Sequence, residues 1–83
     1  MMKDFFKTQE EQLWDWMNTM RFIRTSEIIR WGTQNYCNGA DRIARRIAKK
    51  EPNKLRRLKP REKLQAGFKT AEGIYEVYPL HII

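Results

Sequence analysis

The side chains best placed for chemistry lie at helical spacing in the middle of the chain. With 100° between successive residues, four cations and one amide fall on one side of a predicted helix: Asn38, Arg42, Arg45, Arg46 and Lys49. The other side of this helix is apolar, with Ala40, Ile43, Ala44 and Ile47. Arginine can bind guanine and asparagine can bind adenine through two hydrogen bonds each, and Lys and Arg also bind phosphates. The pattern therefore favours a nucleic-acid surface.

A solvated charged face is the alternative for this helix. Solvent-exposed helices usually alternate charge sign and gain favourable pairs four residues apart. Here Arg42 with Arg46 and Arg45 with Lys49 are like-charge pairs at that spacing, each costing a few tenths of a kcal/mol. A bound anion would relieve this repulsion.

A second group of cations follows in the sequence. The 83-residue chain carries a net charge of +7, and this excess is concentrated in its second half. The additional candidate nucleic-acid-binding residues are Arg56, Arg57, Lys59, Arg61, Lys63 and Lys69. A polyanion attracts such a cluster over a long range, whereas the alternative is an ordinary flexible and soluble loop. If about six cations met phosphates, the plot of log K against log salt would have a slope of about −5.

The sequence offers no catalytic, cofactor or metal site. Cys37 is the single cysteine and His81 the single histidine, so neither has evident partners for a metal or for acid–base catalysis. No Gly-rich phosphate loop or catalytic triad is recognisable, and we expect a protein that is not an enzyme. Aromatic residues could stack on single strands, but helical spacing favours core or rim positions for Trp14 and Trp16.

Composition and length indicate one domain over residues 1–83. The share of apolar residues is 41%, which is enough for one small core. The apolar runs are too short for a signal peptide or a membrane span, so no membrane association is expected. A lone cysteine fits a reducing compartment, and a basic DNA-binding chain there would be cytoplasmic and nucleoid-associated.

Three helices are predicted to position these cations. The first spans about 8–20, with Thr8 and Glu11 forming a capping box and Leu13, Trp16, Met17 and Met20 facing the core. The second spans about 25–33 and is expected to be capped by Thr25 or Ser26, with Gly32 near its end. The third spans about 39–51, with Asn38 as the N-cap and Pro52 after its end.

The remaining elements are predicted strands. Residues 21–24 form a strand fragment, and two wing strands span about 55–59 and 74–78. Turn residues Pro60, Gly67 and Gly73 predict a long basic loop between the wing strands.

This order of elements resembles the winged helix-turn-helix family. The segment 22–29 is similar to a short strand entering helix two, 40–48 to a recognition helix and 73–78 to a closing wing strand. The resemblance implies an α+β fold of three helices with a C-terminal β-hairpin wing, like that of small bacterial or phage regulators. It also implies binding of double-stranded DNA and transcriptional regulation, with the third helix in the major groove and the wing on the backbone.

Other partners remain open at this point. A winged-helix fold can also serve as a protein–protein interaction module, and basic helices and loops suit RNA. The resemblance also suggests a homodimer, formed through helix one or through the apolar tail of Leu80, Ile82 and Ile83.

Overall fold

A computed structural model describes residues 7–78 of the chain. It has an α+β architecture, with four helices and a three-stranded antiparallel sheet in the described part. The elements are α1 (Gln9–Met17), β1 (Phe22–Arg24), α2 (Thr25–Gln34), α3 (Ala40–Lys50), β2 (Leu55–Arg57), α4 (Pro60–Gln65) and β3 (Ile74–Val77). The apolar tail of Leu80, Ile82 and Ile83, for which a dimer contact was predicted, lies outside the described residues.

The start of α1 confirms the predicted capping box. The Glu11 amide donates to the Thr8 hydroxyl and the Thr8 amide donates to the Glu11 carboxylate, at 3.1 and 3.0 Å. The helix ends at Met17 rather than at residue 20, because Asn18 caps it and the Thr19 and Met20 amides form tighter three-residue turns. Leu13 and Met17 are fully buried, as the apolar stripe predicts.

The predicted caps of α2 and α3 are wrong. Thr25 is the first residue of α2, and its hydroxyl donates to the Gly73 carbonyl instead of capping the helix. Gly39, with a φ of 73°, takes the N-cap position of α3 in place of Asn38. A left-handed backbone there suits glycine, which carries no Cβ. The end of α3 at Glu51, just before Pro52, agrees with prediction.

Gly32 allows α2 and the following turn to approach closely. The helix continues past it to Gln34, so Gly32 does not end the helix. A Cβ at this position would lie 2.6 Å from the Cys37 carbonyl oxygen and 2.9 Å from the Ala40 Cβ. The Cys37 amide donates to the Gly32 carbonyl at 2.7 Å, which fixes the chain as it turns into α3.

The sheet places β3 between β1 and β2. Ile23 lies opposite Tyr75, and Arg57 lies opposite Tyr75 from the other side. Side chains alternate between the two faces, so the inner face, which carries Tyr75, Val77 and Leu55, joins the helices in the main core. The strands are shorter than predicted: β2 ends at Arg57 instead of residue 59, and β3 ends at Val77 instead of residue 78.

The connection between β2 and β3 (residues 58–73, hereafter the connection) differs from the predicted open loop. It contains α4, which begins with Pro60, a residue suited to the first helical position. Leu58 and Ile74 are buried yet lie outside the main core cluster, and Phe68 packs edge-on against Phe22 at 5.5 Å. Phe22 and Ile74 share the outer sheet face by register, so the connection covers part of that face.

Candidate nucleic-acid interface

Helix α3 presents its cations as the sequence predicts. Ala40, Ile43, Ala44 and Ile47 are buried in the core. Arg42, Arg45 and Lys49 occupy the middle of the opposite, exposed face, and none of the three forms an ion pair within residues 7–78. Four apolar residues therefore anchor a helix whose outer face keeps three cations available to a ligand.

Two further cations of α3 face α1. The Glu10 carboxylate lies 3.6 Å from the Arg46 Nε and 3.8 Å from the Lys50 Nζ. These separations are long and the groups are partly solvated, so each pair contributes at most about 1 kcal/mol. Arg46 is thus a predicted site residue that already has a weak acidic neighbour, which the sequence spacing did not reveal.

An open groove lies between α1 and the start of α3, beside Asn38 and Gly39. Gln9, Asn38, Arg42 and Arg46 line this groove together with Gly39 and Ile43. Asn38 is exposed and does not cap the helix, so its amide group is available to a ligand. The structure therefore brings three predicted residues together here and adds Gln9, which sequence reasoning missed because its position depends on how α1 packs.

The sheet contributes a fourth cation beside α3. Tyr75 is buried to 2% exposure, and burial raises the pKa of its hydroxyl. Arg57 and then Arg45 oppose this rise in the pKa of Tyr75, which places both guanidinium groups near the same hydroxyl. Arg57 also lies close to Gly73, where an added Cβ would meet its Nη2 at 2.8 Å. The cations of α3 and β2 are therefore continuous across Tyr75.

Arg56 is in a different situation. Its Nη1 donates to both carboxylate oxygens of Glu62, at 2.7 and 2.9 Å, and its Nε donates to the Tyr78 hydroxyl at 3.0 Å. The Nη2 lies 3.4 Å from Glu76. The hydrogen bonds to Tyr78 and Glu62 raise the pKa of Arg56 further above its ordinary value. Most of its donors are therefore already used within the protein.

Glu62 connects this network to α4. Its carboxylate accepts from the Lys59 amide at 2.8 Å, which closes the start of the helix, and it also accepts from Arg56. The Lys59 amide first, and Arg56 second, lower the pKa of Glu62. One carboxylate thus fixes both α4 and the cation beside it.

The remaining predicted residues of the connection divide into two kinds. The Lys63 ammonium donates to the carbonyl oxygens of Thr70 and Glu72, at 3.1 and 3.0 Å, and so closes the turn before β3. The exposed side chains without a charged partner in the described part of the chain are Lys59, Arg61 and Lys69. These three are the cations of the connection that remain open to a phosphate.

Residues 7–78 give little support for a reactive cysteine, a stacking platform or a metal site. Cys37 is buried, which raises the pKa of its thiol and disfavours the reactive thiolate. Trp16 and Trp31 stack on each other at 5.6 Å and pack against the core. His81 lies outside the described part. Over that same part, no three side chains of the His, Cys, Asp or Glu type gather as a metal site would require. No helix there has the length and apolar character needed to cross a bilayer.

Tyr36 is a surface residue that is not among the predicted site residues. It lies in the turn before α3, is 92% exposed and has a φ of 55°. The segment lies between the predicted helices at about 25–33 and 39–51, and no periodic signal marks an aromatic residue there.

A scan of protein-family models and searches of curated proteins and of solved structures found no match to this chain.

Proposed function

We propose that this chain is a winged helix-turn-helix protein that binds double-stranded DNA, with α3 in the major groove. The arrangement of α3 carries the proposal: Arg42, Arg45 and Lys49 project from a rigid helix and have no acidic partner within residues 7–78. A helix of this width fits the major groove, where arginine can pair with guanine.

The antiparallel sheet supports the same proposal. Strand β2 lies at one edge of this sheet and packs against α3, and its Arg57 lies near Arg45 of that helix. In the proposed complex Arg57 meets the phosphate backbone next to the groove that α3 enters, and Lys59, Arg61 and Lys69 extend that contact along the connection. The wing is then a folded cover with α4 at its start rather than an extended hairpin.

A regulatory role follows from this proposal. A protein that occupies duplex DNA through one helix can repress or activate transcription by its position, and it would then be found with the nucleoid. The homodimer that the family resemblance suggests would place two α3 helices on half-sites about one helical turn of DNA apart.

The primary test is a mobility-shift titration on random-sequence duplex DNA at about 50 mM and about 200 mM salt. About six phosphate contacts predict an affinity loss of about 10³-fold between the two conditions. No shift at the lower salt would refute DNA binding. An equal or stronger shift with double-stranded RNA of the same sequence would replace this proposal with RNA binding.

A matched pair of variants tests the location of the interface. Arg42→Gln with Lys49→Gln removes two charges from α3, and Arg21→Gln with Arg30→Gln removes two from other faces. We expect the α3 variant to lose at least tenfold more affinity, because each phosphate or base contact contributes about 1 kcal/mol or more. Equal losses would show that net charge alone attracts the DNA.

A further inference from the structure

The turn between α2 and α3 contains a strained aromatic residue. Tyr36 has a φ of 55°, and it is the single non-glycine residue with positive φ among residues 7–78. Glycine and asparagine tolerate this left-handed region, whereas the Cβ of a tyrosine crowds the backbone. Strained residues of this kind persist where the surrounding structure fixes the backbone, and they cluster at functional sites.

The Tyr36 side chain does not hold the turn together. The turn is fixed by backbone and amide groups: the Asn35 amide donates to the Trp31 carbonyl at 2.9 Å, and the Cys37 amide donates to the Gly32 carbonyl. The Asn35 side chain donates to the same Trp31 carbonyl at 2.8 Å. The Tyr36 ring is 92% exposed and has no hydrogen-bond or ring partner in the described part of the chain.

The position of Tyr36 relates it to the α3 surface. It precedes Asn38 by two residues, so the two Cα atoms lie within about 7.6 Å of each other. Asn38 borders the groove that Arg42 and Arg46 also line. A ligand on that groove therefore lies within reach of the tyrosine side chain, and the side chain carries both an apolar ring and a hydroxyl.

We propose that Tyr36 is a DNA-contacting residue that sets the position of α3 in the groove. Its hydroxyl donates to a phosphate oxygen, and its ring packs against the neighbouring deoxyribose. Tyrosine hydroxyls are among the groups that hold phosphates in protein–DNA complexes. This inference rests on the proposed DNA binding and adds to it a residue outside the cationic set.

For Tyr36→Gly, the backbone strain and the proposed DNA contact predict opposite effects on stability and on DNA affinity. Tyr36→Gly removes the ring and relieves the strained backbone, so we expect its melting temperature to stay level or rise by about 2 to 4 °C. We expect the same variant to bind duplex DNA about tenfold more weakly, since a lost hydrogen bond to a charged group alone has about that effect. Tyr36→Phe removes the hydroxyl alone and should account for most of this loss of affinity.

A second tyrosine provides the control. Tyr78→Phe also removes one hydroxyl, but that hydroxyl bonds Arg56 and Glu76 within the protein. We expect its DNA affinity to match that of the wild type. Equal losses for Tyr36→Phe and Tyr78→Phe would overturn the assignment, as would a fall in the melting temperature of Tyr36→Gly.

The wild type and the α3 variant are titrated in parallel, so that two failures can be told apart. If the wild type does not bind DNA, the proposed function itself is refuted. If the wild type binds and the α3 variant is weak while the Tyr36 variants bind normally, only the role of Tyr36 is refuted. A change in oligomeric state of the Tyr36 variants by light scattering, with unchanged DNA affinity, would instead assign Tyr36 to a contact between copies.

Discussion

Helix α3 and the connection carry similar numbers of cations but use them differently. On α3 the central cations are exposed, and within residues 7–78 the acid that lies against this helix, Glu10, is close only to Arg46 and Lys50 at its side. In the connection, Lys63 binds two backbone carbonyls, and the adjoining Arg56 of β2 binds Glu62 and Tyr78. A count of positive residues therefore overstates the ligand-binding capacity of the connection, because part of its charge stabilises its own fold.

The largest expected effect comes from removing three charges from each region. The α3 triple variant combines Arg42→Gln, Arg45→Gln and Lys49→Gln, and the connection variant combines Lys59→Gln, Arg61→Gln and Lys69→Gln. We expect the α3 triple variant to lose at least about 100-fold in affinity together with its sequence preference, since in the proposed complex it loses base contacts. The connection variant should lose about tenfold on all sequences.

Competition with specific and random duplexes measures both quantities. If both variants lost the same affinity on every sequence, α3 would not recognise bases and the proposed difference between α3 and the connection would be wrong. Thermal melts accompany the titrations, because all six positions are exposed and neither variant should be destabilised.

The second effect concerns stability rather than binding. Arg56→Met removes the cation that pairs with both Glu62 and Glu76, and we expect the free energy of unfolding to fall by about 1 kcal/mol. DNA affinity of the folded protein should change less than threefold. Urea denaturation and a titration below the unfolding transition measure the two. A large loss of affinity without a loss of stability would place Arg56 in the interface after all.

The third effect is a pH dependence of the connection. The pKa of Glu62 is lowered in the folded state, so its contribution to stability is present above the ordinary glutamate pKa and is lost as the pH falls through the folded value. Between about pH 5 and about pH 3, we expect the melting temperature of the wild type to fall more steeply than that of Glu62→Gln. Parallel melting curves would contradict the role of Glu62.

The smallest expected effect sharpens the comparison from the α1 side. Glu10→Gln frees Arg46 and Lys50 from their acidic neighbour and removes one negative charge near the proposed DNA interface. We expect affinity to rise about two- to fivefold, in keeping with weak, solvated pairs. Glu51→Gln, a control with the same charge change on an acid that pairs with Lys54, should have less effect. A fall in affinity for Glu10→Gln would show that Glu10 orients Arg46 for the DNA.

The helices and the α3 face could be predicted because their information is local. Apolar spacing gave the buried side of α3, and Thr8 with Glu11 gave the start of α1. Caps that depend on distant residues could not be predicted. Thr25 has the right chemistry for an N-cap, but its hydroxyl reaches Gly73, 48 residues later in the chain.

The connection was predicted poorly for a related reason. Helix α4 has six residues and no buried side chain, so it carries no apolar period. Pro60 at its start and Glu62 two residues later are helix-start signals, but a turn was the simpler interpretation of the proline. The ion pairs of Arg56 and Arg46 depend on how elements pack, and sequence spacing alone contains no information about them.

The sheet order has a consequence for how the chain acquires its structure. Strand β3 lies between β1 and β2 and follows both in the sequence, so within residues 7–78 neither earlier strand has a neighbouring strand until β3 has been made. During synthesis the helices can form early. The edges of β1 and β2 stay unpaired until β3 has been synthesised. Released chains that end before residue 74 should therefore be protease-sensitive and prone to associate through these edges, whereas released chains that include β3 should resist proteolysis.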